Sequence, residues 1–261
     1  MALPGFLADG GTFVPPGKED FNLPPIFGEV TKPMVLCVLS VVIILAFFLL
    51  VTRNLKLVPG KLQFAAEGLY DISRNTIARE QIGGDDFKPF VPLIFSLFTF
   101  VLVNNIFGLI PLVQFPTMAR TGFPVALAIL VVYPVYHYVG IRRHGLGKYL
   151  RYQLFPAGPP KWVYFLLTPV ELFLRFFMDP ISLAIRVFAA MFAGHLLLLM
   201  FVLGGEFLLM EAAPLLKPLS LLGFAFAIGL TFLEALVQVI QAYIFALLSA
   251  VYIGRALASD H

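Results

Sequence analysis

Twenty consecutive residues from Pro33 to Thr52, PMVLCVLSVVIILAFFLLVT, carry no charge. At ~1.5 Å per residue such a helix measures about 30 Å, the thickness of a bilayer's hydrocarbon core. The rest of the chain is of the same kind. Of its 261 residues, 60% are hydrophobic and 13% charged, with a mean hydropathy of +0.92, which leaves too little polar surface for a soluble domain. The sequence predicts an all-α polytopic membrane protein, a single integral membrane domain over 1–261.

Ahead of this span, residues 1–32 are rich in proline and glycine and read as a loop or surface segment without its own core. They lack a basic region and an early apolar block, so no cleaved signal peptide is expected. Residues 53–88 are more charged. Leu62, Ala65, Ala66, Leu69 and Ile72 share one helical face there, which fits an amphipathic helix on the membrane surface and equally a solvated linker helix. Pro89 to Val113 reads as a second span, with Asn104 and Asn105 late in it. Gly122 to Ile141 reads as a third, kinked at Pro134.

The segment 142–161 holds five Lys/Arg and no acid, with two Pro/Gly turns, and reads as a cytoplasmic loop. With 53–88, 142–161 and the C-terminal tail inside, twelve Lys/Arg face the cytoplasm against four outside, which puts the N-terminus out and the C-terminus in. Two apolar segments, 162–203 and 218–254, exceed an upright span. The first is expected to break near Pro169 and Pro180 or to tilt, and the second to tilt strongly. The stretch 205–217 links them. These two make about five crossing helices and one surface helix. No internal repeat is visible.

The polar residues inside these apolar segments are few and spaced. Glu171, Arg175, Asp179, Ser182 and Arg186 recur every three or four residues, so they share one face. The i,i+4 pairs Glu171–Arg175 and Arg175–Asp179 can compensate each other as an ordinary interfacial surface. Arg186 has no acid in the two turns that follow. An arginine at bilayer depth costs from about 2.5 to more than 10 kcal/mol and faces a protein interior or a water path. Its face continues through Ala189, Ala190, Ala193 and Gly194, small enough for another helix to approach closely. His195 lies nine residues on, half a turn away, and is expected to face the subunit's own bundle. On the last helix Thr231, Glu234, Gln238 and Gln241 form a second stripe. A carboxyl as deep as Glu234 is protonated or paired, and His195 is its natural partner in passing a proton.

The lone Cys37 excludes an intrachain disulfide, and His137, His144, His195 and His261 have no metal-ligand spacing, so neither metal nor cofactor is expected. No GxxxxGK[ST] loop is present, so any nucleotide chemistry belongs to partners. Nucleic acid is not an expected partner.

Four stretches, NNIFGLIP (104–111), GIRRHGLGKYLRYQLFP (140–156), PISLAIRVFAAMFAGHL (180–196) and QAYIFALLSAVYIGRAL (241–257), resemble subunit a of the F-type ATP synthase, the third most specifically. The resemblance implies a non-catalytic stator subunit in a bacterial plasma membrane, whose partners are the c-ring, peripheral-stalk subunit b, the rest of the complex and membrane lipid. It gives Arg186 the role of the essential arginine opposite the ring carboxylates and Gln241 that of its neighbour. It makes His195 and Glu234 the acid and histidine of the outer half-channel. It also implies a proton-translocating role for Glu171, and Arg175, Asp179, Ser182, Gln238 and Asn105 would line the paths. Two departures stand out. Ala190 replaces the family's usual Asn, and Glu171 sits one residue farther from the Pro-x-Ser-x-x-x-Arg core than the usual glutamate. A self-contained channel or secondary transporter would need a substrate site and an internal repeat within one chain. A purely structural membrane subunit would leave Arg186, Glu234 and Gln241 without a reason.

Overall fold

A computed structural model describes residues 7–8, 12–21, 24–111, 113–155 and 162–258. The second Pro/Gly turn expected before Trp162 and the terminal His261 lie outside them. Among the described residues, five helices are long and apolar enough to cross a membrane: α1 (Lys32–Thr52), α3 (Lys88–Ile106), α4 (Gly122–His144), α6 (Tyr164–Met210) and α7 (Leu219–Leu257). Two helices between them are less apolar, α2 (61–82) and α5 (Leu146–Leu154). Among the described residues strands form two short antiparallel hairpins before α1.

The chain closes on α6 and α7. His195 lies beside Glu234, Gly205 beside Gly223 and Asp179 beside Arg255, so the two helices run antiparallel along most of their length. At 47 and 39 residues they measure about 70 and 58 Å, far beyond a hydrocarbon core of about 30 Å, so each must incline, project beyond it, or both. A Cβ on Gly223 would sit 3.1 Å from the Gly205 Cα. Two glycines therefore let the backbones cross in near contact. Helix α3 packs on α7, α4 on both long helices, and α1 on the outside of α3, where Asn104 Nδ2 donates to Ser40 Oγ at 2.8 Å.

Several expectations are corrected. Neither Pro169 nor Pro180 breaks α6, which also runs past Leu203 to Met210, so the linker shortens to 211–218. Before Pro180 the helix takes a π turn over Leu174–Met178, and before Pro134 another over Leu127–Val132. A proline lacks the N–H for the carbonyl four residues back and its ring crowds that carbonyl. A locally widened turn accommodates both faults without ending the helix. The second span stops at Ile106 rather than Val113, and turn hydrogen bonds follow it, Gly108 N–H to the Asn105 carbonyl, Leu109 N–H to that of Ile106 and Gln114 N–H to that of Ile110.

The basic 142–161 segment, read as loop, contains α5. This helix is seated by Tyr149 and Gln153, both buried, and a Cβ on Gly140 would overlap the Tyr149 ring. Its hydroxyl lies 2.7 Å from His137 Nδ1, and burial pushes the phenol up to about 12. Leu146, Tyr149, Leu150 and Leu154 recur at helical spacing along it, a periodicity that the loop reading passed over. On α2 the buried face is Ala66, Ser73, Ile77 and Ala78, while Leu62 and Ile72 are exposed. The face lies against α3 and the end of α7, where a Cβ on Gly254 would overlap the Gln81 carbonyl oxygen.

The N-terminal segment supplies part of the main core. Phe21 is buried against Phe192 and Phe115, with ring centroids 4.6 and 6.0 Å away. Lys32 Nζ donates to the Val113 carbonyl at 2.6 Å and Arg120 to Thr31 Oγ1 at 3.0 Å, which pins this end to the turns after α3.

Candidate functional site

Helix α6 carries two opposite faces, set by its 100° step. Ser182, Arg186, Ala189 and Ala193 are exposed. Among the described residues Arg186 makes no hydrogen bond and no ion pair. Leu183, Ala184, Val187, Met191 and His195 are buried. Ala190 and Gly194, expected on the arginine's face, sit half-buried at its edge.

On the buried side His195 Nδ1 stands 3.5 Å from Glu234 Oε1, with each side chain 4% exposed. That separation is ion-pair range without hydrogen-bond geometry, since Nδ1 remains without a hydrogen-bond partner. Gln238 Nε2 donates to the same Oε1 at 3.2 Å, and Asn105 Nδ2 donates to the Gln238 carbonyl at 3.2 Å. Glycines make the room. A Cβ on Gly108 would stand 3.2 Å from Gln238 Nε2, and one on Gly194 3.7 Å from Glu234 Cγ.

This column is under-satisfied. Glu234 Oε2, Gln238 Oε1, Asn105 Oδ1 and the half-buried Gln241's Oε1 have no hydrogen-bond partner. A buried polar atom left unpaired costs about 1–3 kcal/mol, so several in one line mark a place built for water or a moving proton. A cavity of about 660 Å³ reaches it, with His195, Thr231 and Glu234 in its wall. One face of α6, from His195 past Val202 to Met210, forms a side of the cavity, and Phe13 and Val14 of the N-terminal segment form another. Phe21 meets the His195 ring edge-on at 6.0 Å.

Three residues escaped the sequence reading. Glu206 and Gln114 line the cavity, and Phe21 braces the histidine. Glu206 stood in the stretch assigned to a linker; its signal was the 11-residue step from His195, three helical turns on one face.

At the opposite end of α6 the acidic side chains Glu171 and Asp179 each meet an arginine, while Thr168 Oγ1 has no hydrogen-bond partner. Arg175 Nε donates to Glu171 Oε2 at 2.9 Å, as the spacing suggests. The Arg175–Asp179 pair does not form. Asp179 Oδ2 instead meets Arg255 of α7 at 3.5 Å, and Tyr136 donates to the Arg175 carbonyl at 3.1 Å. The structure thus brings Asn105, His195, Glu234, Gln238 and Gln241 toward one column. It keeps Glu171, Arg175 and Asp179 apart from that column, with Ser182 and Arg186 on the outward face between. No group of three or more metal-ligating side chains gathers among the described residues.

The family model for the ATP synthase A chain matches residues 34–254. ATP synthase subunit a of Pseudarthrobacter chlorophenolicus is 45% identical over 265 residues, covering 100% of this chain and 98% of the relative. That of a Nocardioides species is 42% identical over 268 residues, 97% and 96% of the two chains. That of Streptomyces lividans is 34% identical over 265 residues, 97% and 91%.

Proposed function

The chain belongs to the ATP synthase A chain family, a multi-pass membrane component of the F-type complex that translocates protons, and from that premise we propose how its residues do so. The subunit is a non-catalytic stator with two offset half-channels. It works against a c-ring, with subunit b as a further partner. Its N-terminus lies outside a bacterial plasma membrane and its C-terminus in the cytoplasm, following the twelve-to-four distribution of Lys/Arg.

One observation carries the reading. Arg186 stands exposed on α6, without an ion pair or hydrogen bond among the described residues, in a stripe of small side chains. A guanidinium keeps its proton under all physiological conditions. It therefore cannot relay protons, and acts as a fixed field. A ring carboxylate brought to about 4 Å gains ~4 kcal/mol at an effective dielectric near 20, worth about three pKa units. The same carboxyl turned into lipid takes up a proton. Arg186 is thus the deprotonation station, and it blocks a direct path between the two half-channels.

The outer half-channel is the cavity that ends at His195 and Glu234. Protons reach this pair, pass by way of Gln238 and Gln241 to a ring carboxylate, and ride the ring round to Arg186. They leave to the cytoplasm past Ser182, Asp179, Arg175 and Glu171. Each charge falling through 100 mV releases ~2.3 kcal/mol, which the ring turns into torque.

Arg186→Ala in the reconstituted complex tests this. Proton-driven ATP synthesis and ATP-driven pumping should both be lost while subunit content stays normal. Wild-type pumping by that variant, or proton conduction by liposomes holding this subunit without a ring, overturns the reading.

A further inference from the structure

Glu206 is a charged residue of the outer cavity with no role in the scheme above. It lies on α6 eleven residues beyond His195, 20° off the same face and about 16 Å farther along the axis. Both side chains line the one cavity. Glu206 is exposed where His195 and Glu234 are buried, so it stands at the mouth and they stand at the floor. Among the described residues it forms no ion pair and no hydrogen bond, so no cation neutralises it.

Among the described residues the titratable groups lining the cavity are His195, Glu206 and Glu234. Gln114 and Thr231 are the other polar side chains there among the described residues. Between mouth and floor the wall is apolar, with Leu199, Val202 and Leu203 on the α6 side. A low-dielectric wall with one negative group at its opening focuses field lines and raises the local concentration of cations. The volume of about 660 Å³ accommodates roughly 20 waters at ~30 Å³ each, enough to connect the two ends.

We propose that Glu206 is the proton-collecting carboxylate of this cavity. It takes a proton from the outer medium and releases it to the water leading to His195 and Glu234, which returns the side chain to its negatively charged form, ready for the next proton. The inference rests on the reading of the cavity as the outer half-channel. Glu211 supplies the control. It is an exposed carboxylate at the same end of α6, sixteen residues from His195 and nearly opposite in direction, and it does not line the cavity.

The experiment uses whole reconstituted ATP synthase, with initial rates of proton-driven synthesis followed against the pH of the compartment facing the N-terminus at constant total driving force. Glu206→Gln should run near wild type in proton-rich medium and roughly tenfold slower in proton-poor medium. Glu206→Asp should recover most of that loss, and raised ionic strength should shrink the gap between Gln variant and wild type. Glu211→Gln should match wild type throughout. Equal rates for Glu206→Gln and wild type across the pH range overturn the proposal, and so does an equal loss in Glu211→Gln, which would reduce the effect to general surface charge. The outcomes separate from those of Arg186→Ala. If that variant uncouples and Glu206→Gln does nothing, only the collecting role falls. If that variant stays coupled, the stator reading falls, while a loss confined to proton-poor medium still reports proton uptake through this cavity.

Discussion

The two ends of the α6–α7 pair treat carboxylates differently. Toward the basic end, Arg175 holds Glu171, Arg255 meets Asp179, and Arg143 meets Asp86 at 3.1 Å. Toward the other end, Glu234, Gln238, Gln241 and His195 keep polar atoms without hydrogen-bond partners although three of the four residues are buried. A fold selected for stability alone would pair or remove such atoms, because each costs about 1–3 kcal/mol. The paired end can line the proposed exit path without its carboxylates taking up the proton. The unpaired column fits the proposed entry path, where water or a proton would meet those atoms.

That contrast predicts a ranking of substitutions. The largest effect belongs to the column. Glu234→Gln keeps the shape and the hydrogen bond to Gln238 but cannot take up a proton, so proton-driven synthesis should fall by at least the ~10² associated with losing a positioned acid–base group, with the complex still assembled. If Glu234→Gln synthesises ATP at the wild-type rate, the column is merely a tolerated packing fault and the contrast collapses.

A second substitution acts through packing alone. Gly254→Ala places a methyl group on the Gln81 carbonyl oxygen, backbone against backbone, where no side chain can swing aside. Overpacking of this kind costs about 1–3 kcal/mol, so the purified complex should lose this subunit at a lower temperature. Its pH profile for synthesis should not change, because no titratable group of the column has been touched. A changed profile would mean that the basic end communicates with the column.

Much of this arrangement was readable in advance, and the gaps have physical causes. The spans followed from apolar length, and the separation of Arg186 from His195 followed from a nine-residue step at 100° per residue. The continuity of α6 was not readable, because proline's cost is visible in sequence while the π turn that absorbs it is not. The partner of Asp179 was misjudged because Arg175, four residues back, competes with Arg255, which is 76 residues away in the chain and adjacent only through the antiparallel packing. Helix α5 was legible in Leu146, Tyr149, Leu150 and Leu154, which recur at helical spacing, but its basic residues and flanking glycines outweighed that short pattern in the loop reading. Glu206 was missed for a simpler reason. A carboxylate near the end of an apolar run looks like the start of a linker until the helix is seen to continue past it.

The smallest effect should come from the pair that spans the two helices at the basic end. Arg255 and Asp179 lie 3.5 Å apart with side chains 43% and 23% exposed, so water reaches both. Exposed pairs of this kind contribute about 0–1 kcal/mol. Removing the cation with Arg255→Gln leaves a carboxylate that water can solvate, and the Arg175–Glu171 pair is untouched. Synthesis should therefore stay within about twofold of wild type, and a double-mutant cycle with Asp179→Asn should give a coupling below ~1 kcal/mol in the thermal retention of the subunit. The result bears on both ends at once. Should Arg255→Gln slow synthesis as much as Glu234→Gln does, pairing would no longer distinguish the two ends, and Asp179 would have to be counted among the groups whose charge state the moving proton depends on.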